Sequence, residues 1–174
     1  QVAPRGRARY DRCSRRPLLK LDLIRDITMY PENLPLRDNL RAAHIKSWQR
    51  IAAPGAFLTG AQRVAILSAS RSALFCDLCK ERNAALSPNA VTGSHFVENP
   101  MEAELPDEMI DIAHRMVTDP GRLTQGWFEA TLAAGASWGL TKQTHVEIVS
   151  VVATGVIVDT LHKSLGLTPP ALPA

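Results

Sequence analysis

The chain has 174 residues, 45% of them hydrophobic and 21% charged, with a formal net charge of +3 and three cysteines. That length can bury one substantial core without a disulfide framework, and three cysteines are too few for a stapled secreted scaffold. No run of about 18 consecutive apolar residues marks a membrane span, and no charged segment followed by an apolar one reads as a secretory signal. The expectation is a cytoplasmic protein with no membrane partner.

The charge is uneven. Residues 1–28 carry seven Arg and one Lys against three Asp, while residues 29–174 carry twelve basic side chains against fourteen acidic ones. The basic character therefore belongs to an N-terminal arm containing "PRGRARYDRCSRR". By charge alone such an arm fits nucleic acid. Its Arg content also fits a presequence, but its acids and its single Ser do not. We read residues 1–28 as a disordered or non-native leader, with Cys13 incidental and Met29-Tyr30-Pro31 a plausible natural start. Residues 29–174 form a single domain; being net acidic, it predicts no nucleic-acid partner.

From Leu36 to about Ala52 the residues Leu36, Leu40, Ala43, Trp48 and Ile51 recur at helical spacing, and Pro54-Gly55 ends the run. Thr59-x-x-Gln62 has the pattern of a capping box. It opens a helix with Val64, Leu67, Ala69 and Leu74 on its apolar side and the sequence "LFCDLCKERNAALSP" towards its end. Ser87-Pro88-Asn89 breaks the pattern, and residues 88–104 read as an irregular polar loop. Leu105-Pro106-Asp107-Glu108 looks like a helix start, with proline in the first turn and acids complementing the helix dipole. That helix runs through Met109, Ile112, Ala113 and Met116 to Asp119-Pro120-Gly121. Thr118 or Asp119 is expected to cap the next helix, Leu123 to Ala134, which carries Trp127, Phe128 and Leu132.

Thr141 then caps the longest element, Lys142 to about Leu165, with Gly166 as its stop. Its stretch "HVEIVSVVATGVIVDTLHKSLG" is rich in β-branched residues, but more than twenty residues without a turn signal is too long for a strand. Apolar residues wrap most of its circumference, which predicts burial on several sides. The fold class is all-α, a helical bundle whose subunits share burial in a homo-oligomer.

Cys76 and Cys79, three apart, admit three readings. On one helix face they lie one turn apart, near enough for a disulfide. At a helix N-terminus the free amides and the dipole would stabilise a thiolate, the reactive form. As half of a metal site they need two more ligands. Of His95, His114, His145 and His162, none forms a closely spaced pair and no second C-x-x-C follows; Cys76, Cys79 and His95 make three ligands. They are otherwise two small buried residues.

"LFCDLCKERNAALSP", "AHRMVTDPGRLTQGWFEATLAAG" and "GLTKQTHVEIVSVVATGVIVDTLHKSLGLTPPALP", in that order, resemble the alkylhydroperoxidase D-like members of the carboxymuconolactone decarboxylase superfamily. The resemblance spans roughly residues 30–173. It implies an all-helical fold assembled into trimers or hexamers. It also implies a peroxidase site made of a Glu and a Cys-x-x-Cys-x-x-x-His, in which the second cysteine attacks and the first resolves. Carried onto this chain, Cys79 is the attacking thiol and Cys76 the resolving one. The His position falls on Asn83, and the Glu position near Val64, where only Gln62 and Arg63 are polar.

Three residues are candidates to replace that proton relay: Glu81 just beyond the pair, His95 in the loop "TGSHF", and Glu147 among the apolar residues of the last helix. Each has a plainer use, Glu81 in solvent, His95 as a loop residue and Glu147 in an ion pair; Asp159 and His162 invite the same ion-pair reading. Arg122 of "DPGRLT" is expected to bind a carboxylate on a neighbouring subunit.

The first functional expectation is a thiol oxidoreductase acting on a hydroperoxide or disulfide, reset by an external thiol reductant and needing no metal or organic cofactor. The alternative is a family fold that has lost this chemistry and serves as an oligomeric interaction or redox-responsive protein. A lactone decarboxylase would leave the dithiol without a role.

Overall fold

A computed structural model describes residues 29–174; the basic arm, with Cys13 and the leader reading placed on it, lies outside the described residues. Among the described residues there are seven α-helices and no strand. They are α1 (Asp38–Ile51), α2 (Gly60–Ser72), α3 (Asp77–Ala84), α4 (Pro100–Ala103), α5 (Asp107–Thr118), α6 (Gln125–Ala134) and α7 (Lys142–Ser164).

Local chemistry sets the helix starts. The Thr59 hydroxyl accepts from the Gln62 amide, and the Gln62 side chain accepts from the Thr59 amide, so both arms of the capping box form. Thr141 caps α7 by accepting from the Thr144 amide. The cap of α6 is Thr124, which accepts from the Trp127 amide at 3.2 Å. Neither residue expected there serves: the Thr118 hydroxyl bonds back to the His114 carbonyl, and Asp119 receives the guanidinium of Arg122. Pro106 stands as the N-cap of α5, with Asp107 and Glu108 in the first turn.

Helices α2, α5 and α7 pack against one another, with α1 on α7 and α3 on α5. Ile66 and Leu67 from α2, Met109 and Ile112 from α5, and Ile148 and Val152 from α7 are all essentially fully buried. Each such side chain stabilises the fold by about 1.5–3 kcal/mol. Gly155 lets α7 approach α2, since a Cβ there would overlap the Leu67 side chain.

α7 does not have the all-round burial that its composition predicts. One side is buried through Thr144, Ile148, Val151, Val152 and Val158, whereas Val146, Val156 and Ile157 are exposed on the other. It is also the one helix among the described residues long and apolar enough to cross a membrane, by length and composition.

Polar groups pin the periphery. Arg71 makes two 2.8 Å bonds to Asp159 and one to the Pro170 carbonyl, tying α2 to α7 and the C-terminal tail. His162 bonds the Met29 carbonyl at 2.8 Å and stacks on Tyr30. Arg122 is used within the chain. It donates to the carbonyls of Ala85, Arg82 and Asn83, where α3 leaves unpaired acceptors, and bonds Asp119 at its own base.

Candidate functional site

The helix that begins at Gly60 stops at Ser72, one turn short of the cysteines. A tight 3-10 turn over Ala73–Phe75 follows, and Cys76 then has extended backbone angles (φ −74°, ψ 119°). Cys76 is thus the N-cap of α3 and Cys79 lies one turn in, both with free thiols and both buried. This places the pair at a positive helix end, although α3 is a short helix and its contribution is correspondingly small.

Residues 91–99 run back over the pair. His95 Nδ1 lies 3.7 Å from the sulfurs of both Cys76 and Cys79. The Phe96 amide donates to Cys76 Sγ at 3.3 Å. The loop itself is held by Glu102, a fully buried carboxylate. Glu102 accepts from the hydroxyls of Ser68 and Ser72 on α2 and from the Glu98 amide.

α5 supplies the rest. Asp111 Oδ1 accepts from His95 Nε2 at 3.0 Å and from Arg82 at 2.5 Å, and its other oxygen accepts from the Trp127 indole at 3.1 Å. One turn further along, His114 is fully buried with its Nδ1 3.5 Å from Cys79 Sγ. Among the described residues its Nε2 has no hydrogen-bond partner. The rings of His95 and His114 meet edge to face at 4.5 Å.

The electrostatics follow from these contacts. Burial opposes a charge on His95, but Asp111 and the two sulfurs outweigh it and push its pKa up to about 10. Burial and the neighbouring His95 charge push His114 down to about 3, so the two rings hold opposite protonation states at neutral pH. Burial raises the Cys76 thiol, yet the amides of Phe96 and Cys79, His95 and the Cys79 thiol together bring it below its ordinary value. Burial also works against the Asp111 charge; His95, Arg82 and Trp127 outweigh it and hold the carboxyl well below the usual range.

Of the residues singled out in the sequence, Cys76, Cys79 and His95 meet. Glu81 is exposed on α3, and the groups that hydrogen-bond the sulfurs are His95, His114 and the Phe96 amide instead. Glu147 is engaged elsewhere, accepting from Arg63 at 3.3 Å and from the Phe57 amide at 2.9 Å. Asn83 faces Arg122 rather than the thiols. Arg82 on α3 and Asp111 on α5 complete the cluster without having been candidates for its chemistry, and His114, weighed in the sequence only among four histidines for a metal site, joins them; α5 reads in sequence as an ordinary amphipathic helix. The signal available was Asp111-x-x-His114, two polar residues within one turn of it.

A cavity of about 380 Å³ adjoins the cluster, lined among others by Arg82, His95, Asp107, Asp111 and Trp127. His95 borders both the cavity and the sulfurs, and neither cysteine lines the cavity. No protein-family model, curated protein or solved structure matches the chain.

Proposed function

We propose that the protein is a thiol-dependent oxidoreductase of the alkylhydroperoxidase D-like kind, with Cys76 and Cys79 as its redox pair. The observation that carries this reading is the position of His95, 3.7 Å from both sulfurs with Asp111 bonded to its far nitrogen. Asp111 holds the ring in place and favours its charged form; the charged ring favours a thiolate and has a proton to give. His95 and Asp111 stand in for the Glu and His missing from the pattern that the resemblance implies.

Cys76 receives the Phe96 amide and occupies the N-cap position of α3, and both favour its thiolate. We therefore assign the attack to Cys76 and the resolving step to Cys79, the reverse of the order carried over from the resemblance. The Cys76 thiolate attacks the terminal oxygen of a hydroperoxide and the O–O bond breaks. The departing alkoxide takes the proton of His95 and leaves as an alcohol. Cys79 then displaces water from the Cys76 sulfenic acid, closing the disulfide, and an external dithiol takes the pair back to the reduced state.

The test is alkylation rate against pH in wild type, Cys76→Ser and Cys79→Ser, followed by hydrogen peroxide and a count of thiols. The reading requires fast alkylation of Cys76 below the ordinary thiol range of about 8.5, and a disulfide that needs both residues. Two slow thiols that stay reduced under peroxide would end it.

A second reading, an oligomeric interaction protein, is supported by the exposed apolar residues Val146, Val156 and Ile157 along α7. A homo-oligomer, trimer or hexamer, belongs to both readings. Sedimentation of wild type against Ile157→Lys tests it: the substitution is expected to lower the assembly order.

A further inference from the structure

The dithiol does not stand alone with His95. Cys76 Sγ, Cys79 Sγ and one ring nitrogen each of His95 and His114 all lie within 4.8 Å of one another. The three sulfur–nitrogen separations recorded among them are 3.7, 3.7 and 3.5 Å. A tetrahedral ion bound at about 2.3 Å to sulfur and about 2.0–2.1 Å to nitrogen sets sulfur–nitrogen edges of about 3.6 Å. The four atoms therefore surround a point at which one such ion fits with little side-chain movement.

We infer that the reduced chain binds one zinc-type divalent cation between Cys76, Cys79, His95 and His114. Two thiolates neutralise the ion's charge, and two sulfurs with two imidazoles form a donor set suited to zinc. Three further features fit such a site. Asp111 holds the far nitrogen of His95, as a carboxylate commonly orients a ligating imidazole. The Phe96 amide donates to Cys76 Sγ, which helps a coordinated sulfur carry its charge. His114 is fully buried, and among the described residues the Cys79 sulfur is its ring's one side-chain hydrogen-bond partner, so a bond at Nδ1 would give that buried polar ring a use. All four ligands are protein groups, two of them in α3 and its cap, one in the loop and one in α5, which describes a closed structural site rather than an open catalytic one.

This inference does not depend on the redox reading. A bound ion occupies both sulfurs, and a disulfide removes two of the four ligands, so a given molecule can be in only one of these states. Zinc would then hold the dithiol reduced, and peroxide would compete with it.

The experiment is a Co²⁺ titration of the full chain, reduced and treated with chelator, followed by displacement with Zn²⁺. The expected result is one equivalent per chain, with the strong visible bands of tetrahedral cobalt and a sulfur-to-cobalt charge-transfer band, both lost on adding Zn²⁺. His114→Gln should weaken binding by about tenfold or more and alter the visible bands, and Asp111→Asn should weaken it by about 10- to 100-fold. A reduced wild-type chain, folded by circular dichroism, that gives only the pale spectrum of octahedral cobalt would overturn the inference. So would a cobalt spectrum and affinity unchanged in His114→Gln. The wild-type titration decides the matter even if His114→Gln or Asp111→Asn fails to fold. Thiol counting after peroxide on the metal-free chain reports on the redox reading separately, so either can fail while the other stands.

Discussion

Asp111 and His95 share a 3.0 Å hydrogen bond, and through it a carboxylate on α5 sets the charge of a ring that touches two sulfurs on and beside α3. Asp111→Asn keeps the side-chain shape and removes the charge. His95 then loses its main support against burial, and the Cys76 thiol should rise. Alkylation of Cys76 at pH 7 is expected to slow by about tenfold or more. A pH profile identical to wild type would show that Asp111 does not act through His95.

The two histidines give stability opposite pH slopes. His95 is raised to about 10 in the fold, so its contribution is fully present below its unfolded value near 6.5 and is lost as pH rises through about 10. His114 is depressed to about 3, so below about 6.5 the unfolded chain takes up a proton that the fold refuses. Burial lowers His145 as well, with the same sign. The urea midpoint of the reduced, metal-free chain should fall between pH 6.5 and 5, above the range where most carboxylates titrate. His114→Gln should lessen that fall. An equal fall in the variant would contradict this assignment.

Glu147 is placed to stabilise rather than to react. Glu147→Gln weakens the bond to Arg63 and leaves that guanidinium without its carboxylate, with an expected destabilisation of about 1–3 kcal/mol. Denaturant unfolding measures it, and the alkylation rate of Cys76 should stay at the wild-type value. A loss of thiol reactivity at constant stability would return Glu147 to the list of chemical groups.

Burial of both sulfurs limits what reaches them. Cys76 is 0% exposed and Cys79 2%. Hydrogen peroxide should therefore oxidise the pair faster than tert-butyl hydroperoxide does, measured as disulfide formation under equal excess. A faster reaction with the bulky peroxide would mean that the site opens readily to large substrates.

Gly155→Ala should destabilise by about 1–3 kcal/mol, because the added methyl meets Leu67 where α7 crosses α2. Its unfolding midpoint should drop while the thiol chemistry is retained.

The helices were legible where spacing and caps coincide. Thr59-x-x-Gln62 and Thr141 each announce a helix that forms, and the periodicity of α5 marks its buried face. The break before Cys76 was not legible, since Ala73-Leu74-Phe75 are all acceptable in a helix and no local signal marks the end of α2 at Ser72. The site was half legible. Cys76 and Cys79 announce themselves by spacing, and His95 by lying in a loop able to fold back. Asp111 and His114 could not be assigned, because their partners lie 16 and 35 positions away in the chain and no local pattern encodes that approach. The outward face of α7 shows the converse limit: composition announced an apolar helix and could not say what covers it.

Glu102 has a consequence of its own. By holding Ser68, Ser72 and the Glu98 amide together, it clamps the strap that carries His95 and Phe96 over the sulfurs. The perturbed thiol thus exists only while that strap is docked, and an undocked Cys76 reverts to the chemistry of a free peptide cysteine. The pH dependence of labelling at this one atom would then tell whether reagent meets the docked or the undocked strap, giving the molecule a built-in gauge of its own native-state breathing.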